Sequence, residues 1–298
     1  MAERIPVIMN PAARSTLAAQ MVATVKALKP EPEMHYTSYP GHATLMAEQL
    51  AREGRELVVA AGGDGTVNEV LQGLCKVNAT RKDPASHTAL GTLPAGTMNV
   101  FAYEIGFLSH RKLSRPWKIM SGGARKTIDL WMANDQYFLQ LAGVGLDAEV
   151  VRHTTWDMKK RYGPLSYVLS GIRELNKRPP HLTVRVPGRP DLLGSMVLVG
   201  NGRHYGGAFS MFRKARQRDG LLDVLIFRER LNLLHALQMF KGALLDSYKS
   251  SEDIDYLQLE EFNVVSEAET ALQVDGELSG HTPVTFRKAP FPLRIAAA

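Results

Sequence analysis

The chain has 298 residues, 45% hydrophobic and 22% charged; that length fits about two domains, and that composition excludes a disordered or low-complexity chain. The single cysteine, Cys75, excludes an intramolecular disulfide framework and a cysteine-rich zinc site and points to a reducing compartment. Thirty-six Lys and Arg against thirty Asp and Glu leave a net charge of +6, which favours anionic partners such as phosphates or anionic lipid head groups. No stretch reaches the ~18 apolar residues of a membrane span, and the apolar run Ile5–Met9 is too short for a signal peptide. The expectation is a cytoplasmic protein, at most transiently at the inner face of the membrane. No nucleic-acid motif appears, so a nucleic-acid partner is not expected.

The first third alternates strand and helix. Residues 4–9 form an apolar run that stops at Asn10-Pro11, the pattern of a buried strand. A helix is predicted over 15–28, a strand over 33–37, a helix over 41–53 and a buried strand over 57–61. Gly62-Gly63-Asp64-Gly65 ends that strand, and a helix follows over 66–76. A strand over 89–93 ends in the turn Pro94–Gly96, and a helix restarts over 99–105. Strands alternating with helices predict a parallel sheet with helices on both faces.

The texture changes near residue 125–135. Runs over 128–133 and 137–141 flank the turn pair Asn134-Asp135. Helices are predicted at about 147–160, 164–175 and 231–245. The β-like runs are 182–186, 196–201, 222–228, 256–261, 271–274 and 284–287, which predict an antiparallel sandwich or barrel-like domain. With no flexible linker between the halves, two abutting domains framing a cleft are expected.

The glycine run carries the chemistry. Between a strand and a helix, glycines let backbone approach a ligand closely, and the helix N-terminus offers unpaired N–H groups to a phosphate. Asp64 is badly placed to touch a phosphate directly, but a Mg²⁺ ion between them makes the sign favourable. No P-loop motif and no G-x-G-x-x-G opening the first helix are present. Asn10-Pro11, the glycine run and Leu93–Gly96 all follow strands, where open α/β sheets bind ligands. Asp275 and Glu277 are two apart, so in extended chain both face one side.

At this point the sequence resembles the diacylglycerol-kinase-type lipid kinases, which include sphingosine and ceramide kinases. The matching stretches are Asn10-Pro11, Thr37 with Gly41-His42-Ala43, GGDGTVNEV at 62–70, LPAGTMNVFA at 93–102, IDL at 128–130, AGVGLDAEV at 142–150, DGLLDV at 219–224 and VDGE at 274–277. The resemblance implies an ATP-binding α/β domain over 1–130, of the NAD kinase and diacylglycerol kinase type. It implies a β-rich sandwich over 131–298 for the lipid, whose last strand could return to the first domain.

The implied activity is transfer of the γ-phosphate of ATP to a lipid hydroxyl, with Mg²⁺. By motif match, Asn10, Thr37, Gly63, Asp64, Gly65, Thr66, Asn68, Glu69 and Thr97 line the ATP site, with Gly62, Gly96 and Asn99 beside them. Asp64 and Asp129 belong to the catalytic metal network. Glu277 matches the proton acceptor, with Asp275 next to it. Asp219, the backbone of Leu221 and Arg216 match a second, structural metal site.

Three positions depart from the family. Ala12-Ala13-Arg14 replaces a Ser-Gly after the proline; Val100 stands where many diacylglycerol kinases have Asp; and Arg216 and Arg218 stand where acids are common. Val100 removes one carboxylate from the implied metal network and weakens diacylglycerol as the substrate; sphingosine and ceramide kinases also lack an acid there, so the departure does not imply an inactive enzyme. NAD kinases share the GGDGT loop, but their Asn-Glu pair belongs to a later segment; here Asn68-Glu69 follows at once. A non-catalytic lipid or nucleotide sensor keeping the fold is the alternative of a different class. The expected partners are a membrane lipid substrate and an anionic membrane surface. The surface would be met through Arg111–Lys118 with Trp117, residues 152–161 with Trp156, or the run Arg213, Lys214, Arg216 and Arg218. A homodimer is compatible with the sequence, although no residue specifies it.

Overall fold

A computed structural model describes residues 4–11, 15–96, 98–107, 112–154, 179–207, 209–228 and 253–297. The helices predicted at 164–175 and 231–245, the end of the one at 147–160, and Thr97, Arg14 and Trp156 lie outside the described residues. The chain divides into two compact units, Met1–Leu130 with Ala289–Ala298, and Trp131–Lys288.

The first unit begins with β1 (Pro6–Met9), α1 (Ser15–Lys26), β2 (Glu33–Tyr36) and α2 (His42–Arg52). It continues with β3 (Leu57–Gly62), α3 (Asp64–Asn78) and β4 (Ala89–Pro94). Helices α4 (Val100–Glu104) and α5 (Ser114–Ser121) lead to β5 (Lys126–Ile128). The sheet order is β2-β1-β3-β4, then the chain's last strand Leu293–Ile295, then β5. The first five of these run parallel and β5 is antiparallel. Every residue of β1, β3 and β4 is buried, as a parallel sheet covered on both faces requires. One face packs Val7, Met9, Val59, Ala61 and Leu93 with Trp117 and Met120 of α5. On α3, Gly73 removes the Cβ that would otherwise sit 2.2 Å from the Thr44 carbonyl oxygen. That absence lets α2 and α3 pack nearly backbone to backbone.

The second unit is a β-sandwich. Its strands begin with β6 (Trp131–Ala133), β7 (Gln136–Phe138) and β8 (Leu141–Gly145), followed by helix α6 (Leu146–His153). Then come β9 (Leu182–Arg185), β10 (Leu192–Gly194), β11 (Met196–Gly200), the short pair β12 (His204–Tyr205) and β13 (Phe209–Ser210), and β14 (Leu222–Phe227). The last are β15 (Ile254–Leu259), β16 (Glu261–Ser266), β17 (Ala271–Val274), β18 (Glu277–His281) and β19 (Val284–Lys288). One antiparallel sheet has the order β10-β9-β16-β19-β6-β7, the other β15-β14-β11-β8-β17-β18. Their inner faces share one core, with Trp131, Val184, Phe262 and Phe286 from the first sheet and Val144, Val197, Val224 and Leu272 from the second. Phe262 lies directly opposite Phe286 across the ladder, and their rings stack 4.8 Å apart. Such aromatic cross-strand pairs pin register.

Three predicted runs are divided. Ile128 belongs to the first unit's sheet, whereas Trp131–Ala133 belongs to the sandwich. The run over 137–141 and the run over 256–261 likewise contribute to both sandwich sheets. Short apolar runs carry no mark of such a crossover between sheets. Trp117 corrects another expectation. It is 1% exposed and donates its indole N–H to the Pro30 carbonyl at 2.9 Å, so it is a core residue and not a headgroup anchor.

Within the sandwich, Asp223 on β14 has no exposed surface and accepts from the Tyr256 hydroxyl. Burial pushes its carboxyl up to about 6. The folded state therefore holds this proton more tightly than the unfolded chain, whose carboxyl titrates near 4. Stability from this group is greatest below about pH 4 and falls as pH rises to about 6, by up to ~3 kcal/mol. Asp223→Asn is expected to remove that fall, so its stability relative to the parent should rise between pH 4 and 6 in urea titrations. Parallel pH profiles for the two proteins would refute this assignment.

Candidate active site

The parallel strands deliver Asn10, Thr37, the glycine run and Pro94–Gly96 to the same edge of the first sheet. Thr37 is tied there by its N–H to the Met9 carbonyl at 2.9 Å. The two glycine-bearing loops touch. The Ala95 N–H donates to the Gly62 carbonyl at 2.9 Å. A Cβ on Gly96 would meet the Gly63 Cα at 2.4 Å, so neither a side chain nor a water separates these backbones. Asn99 closes the second loop on itself: its side chain accepts the Gly96 N–H at 2.8 Å and donates to the Gly96 carbonyl at 2.9 Å. A positive φ of 48° at Asn99 makes that clasp, and asparagine tolerates this conformation better than most residues. Val100 is buried at the start of α4.

Helix α3 starts directly at Asp64, with Gly63 as its cap and no side-chain hydrogen bond from that cap. Its first-turn N–H groups have no intrahelical acceptor, and a helix start of this kind could receive a phosphate. Thr66 folds its side chain over Gly62, where a Cβ would be 2.4 Å from the Thr66 hydroxyl oxygen. Asn68 is buried, and its side-chain oxygen accepts from Gln72 at 3.2 Å.

Glu69 has a different place from the one the motif match implied. Its carboxylate accepts the N–H of Gly41 at 2.9 Å and of Ala43 at 3.1 Å, while its backbone carbonyl accepts the Thr44 hydroxyl at 2.9 Å. Glu69 therefore anchors the N-terminus of α2 and holds the Thr37–His42 loop beside the glycine run. These bonds give Glu69 a positioning role for that loop.

Asp129 leaves the sheet at a different end from the glycine loops. Ile128 pairs with Leu293, and Ile295 pairs with Leu90 near the start of β4. Asp129 thus leaves the sheet on the side where β4 begins, whereas the glycine loops lie where β3 and β4 end. The sheet does not bring Asp129 to Asp64. No group of three or more His, Cys, Asp or Glu that could hold a metal occurs among the described residues. Mg²⁺ beside a nucleotide commonly uses one or two protein carboxylates, with substrate phosphates and water completing its shell. A single acid, Asp64, among the glycines fits that sparse pattern.

In the second unit, Asp219 accepts the Leu221 N–H at 3.1 Å, closing a turn on itself. Arg216 and Arg218 are exposed on that segment. A cation there would have to rely on the remaining Asp219 oxygen and on backbone carbonyls.

The Asp275-Gly276 pair is a two-residue turn joining β17 to β18, with Val274 opposite Glu277. Both turn residues have positive φ, 48° and 85°, as the tight primed hairpin turns demand. The two acids consequently do not share a side. Asp275 turns inward: its carboxylate accepts the N–H groups of Leu139 at 2.8 Å, Gln140 at 2.9 Å and Leu141 at 3.1 Å. Its own N–H donates to the Leu141 carbonyl at 2.8 Å. Asp275 is an anchor, whereas Glu277 is exposed at the start of β18. Sequence reasoning missed the Asp275 partners because they are backbone N–H groups, which every residue but proline carries.

A parallel sheet whose glycine loops meet at the strand ends, joined in one chain to an antiparallel sandwich, defines the NAD kinase and diacylglycerol kinase architecture. Residues 4–133 match the diacylglycerol kinase catalytic domain, and residues 141–297 match the YegS C-terminal NAD kinase beta sandwich-like domain. A diacylglycerol kinase of Bacillus subtilis (strain 168) is 29% identical over 86% of this chain and 82% of its own length. A protein of Chromohalobacter salexigens named "Probable lipid kinase YegS-like" is 30% identical, covering 87% and 80%. Two solved structures from Bacillus anthracis str. Sterne share the fold. One, a diacylglycerol kinase, has a TM-score of 0.72 at 22% identity, covering 99% of this chain and 97% of its own. The other has a TM-score of 0.79 at 25% identity, covering 99% and 95%. The chain belongs to the diacylglycerol-kinase-type lipid kinase family, and it is a lipid kinase.

The two acids of the turn should respond oppositely to loss of charge. Asp275→Asn offers one oxygen to three backbone donors and should cost about 3 kcal/mol of stability, since each bond to an ionised acceptor contributes ~1.5–3 kcal/mol. Glu277→Gln at an exposed position should stay within ~0.5 kcal/mol. Urea denaturation of both variants checks this, and equal stabilities would remove the anchor role from Asp275.

Proposed function

We propose that this protein transfers the γ-phosphate of ATP to a hydroxyl group of a membrane lipid. The observation that carries the reading is the contact of the Gly63 and Gly96 loops at the N-terminus of α3. It makes a phosphate cradle from backbone alone, in a chain that belongs to a lipid kinase family.

Phosphoryl transfer asks for positioning and charge neutralisation more than for covalent chemistry. The α3 amides would receive phosphate oxygens, and Asn10 and Thr37 stand on the same sheet edge. Asp64 would hold Mg²⁺, which, when bound, neutralises charge on the phosphate oxygens. Glu277 would accept the proton of the lipid hydroxyl as its oxygen bonds to the γ-phosphorus and ADP leaves; an exposed carboxylate within hydrogen-bond reach suffices for that step. Asp275 is not a second base, because its oxygens are taken up by three backbone N–H groups.

The test is transfer of labelled phosphate from ATP–Mg²⁺ to diacylglycerol, monoacylglycerol, a sphingoid base, ceramide and phosphatidylglycerol in mixed micelles. One lipid class should be labelled by the parent, and the label should drop at least ~100-fold in both Asp64→Ala and Glu277→Gln, the size of effect expected for groups that act in the transition state. Label on NAD, or on no lipid while ATP binds, would overturn the reading.

A lipid in a bilayer must also be reached. Lys112, Arg115 and Lys118 of the first unit are exposed, as are Arg213, Lys214, Arg216 and Arg218 of the second. We propose that these cations dock the protein on anionic membranes, at about 1 kcal/mol per basic residue near the surface. Cosedimentation with phosphatidylglycerol vesicles should be strong at low salt and lost at high salt. Equal binding to uncharged vesicles would refute the electrostatic docking.

A further inference from the structure

Beneath the Asp275-Gly276 turn runs a buried polar chain that the transfer reaction does not itself require. Asp147, in the first turn of α6, is 5% exposed. One of its carboxylate oxygens accepts the Tyr205 hydroxyl and the other accepts the Gln273 side-chain N–H at 2.6 Å. Gln273, itself 1% exposed, uses its side-chain oxygen to accept the Gly276 N–H at 2.8 Å. Gly143 lies opposite Gln273 on β8, and a Cβ there would come within 1.8 Å of the Asp147 carboxylate. The acid therefore rests on bare backbone, in a space that only glycine leaves open.

Polarity decides the orientation of this chain. An amide has one accepting and one donating end. A carboxylate on one side of Gln273 selects its NH₂ end, so the oxygen must face Gly276. Burial pushes the Asp147 carboxyl up, against the pull of the Tyr205 and Gln273 hydrogen bonds. An unpaired acid in such a place is costly, and packing alone gives no reason to keep one.

We propose that Asp147, Tyr205 and Gln273 form a positioning relay for Glu277. Asp147 fixes the Gln273 amide, the amide holds the Gly276 N–H, and the next residue in the chain is the proton acceptor. Asp275 clamps the other side of the same turn, so the start of β18 is held from two directions. The inference rests on the assignment of Glu277 made above.

The relay is tested with Gln273→Met, which fills similar space but leaves the Gly276 N–H without its acceptor. Misplacing a reacting group by about 1 Å can cost on the order of 100-fold. Gln273→Met should therefore lower kcat for lipid phosphorylation at least ~10-fold, with the KM for ATP unchanged. In the Glu277→Gln background the same substitution should cause no further loss, because the group it positions is already disabled.

A charge exchange provides the second arm and serves if Gln273→Met does not fold. Gln273→Glu places two carboxylates side by side, and kcat should fall as pH rises from 6 to 9 and their shared proton leaves. Adding Asp147→Asn restores a donor between them, since the new amide donates to Glu at 273 and accepts from Tyr205. The double variant should regain kcat to within about threefold of the parent at pH 9. Parent-like kcat in Gln273→Met, an undiminished loss in the Glu277→Gln background, or no recovery in the double variant would each overturn the relay while leaving the kinase reading intact. Full activity in Glu277→Gln would overturn the base assignment and the relay together. A parent protein that labels no lipid would overturn the kinase reading as well.

Discussion

Two carboxylates bound to backbone N–H groups hold the loops on which the rest of the structure depends. Glu69 reaches from α3 to the amides of Gly41 and Ala43. Asp275 reaches from a hairpin turn to three consecutive amides at 139–141. Backbone donors in irregular segments must find acceptors or lose free energy on burial. An ionised oxygen satisfies them more strongly than a neutral one. One side chain thereby immobilises a stretch of loop that has no regular secondary structure of its own.

The same economy explains the glycine loops. The two strand-end loops lie so close that no Cβ fits between Gly63 and Gly96. The parallel sheet sets the loops side by side through the β3–β4 register, in which Gly62 pairs with Pro94. Asn99 then clasps the second loop by hydrogen bonds to both polar atoms of the Gly96 backbone. Sheet register, loop closure and side-chain absence act together here, and none of the three alone would bring the two backbones into contact.

Much of this was legible in the sequence. Buried runs ending in Asn10-Pro11, GGDG and LPAG located three parallel strands and the edge where their loops gather. Changes of sheet were not legible, because Ile128 and Trp131 are both apolar and only the long-range ladder separates them. The roles of acids were legible by motif and not by contact. Asp275 and Glu277 read as a pair, and positive φ at Asp275 and Gly276 sends them to different environments. Glu69 sat within a nucleotide motif, yet its partners lie on α2, more than 25 residues earlier in the chain. Gln273 had no signal beyond its place before VDGE, since a hydrogen bond to a backbone N–H imposes no pattern on distant residues.

The turn at 275–276 shows why a motif so short can persist as a unit. Aspartate supplies a carboxylate that reaches the distant amides of residues 139–141 while its own backbone takes a left-handed conformation. Glycine supplies the second left-handed residue and a free N–H for Gln273. Glutamate then begins a strand at the sheet edge, where its side chain is exposed and its backbone is held. A longer turn would uncouple the exposed acid from the buried anchor. A bulkier second residue would lose the geometry that presents its N–H inward. With both turn residues at positive φ, two acids only two positions apart come to occupy a buried and an exposed environment.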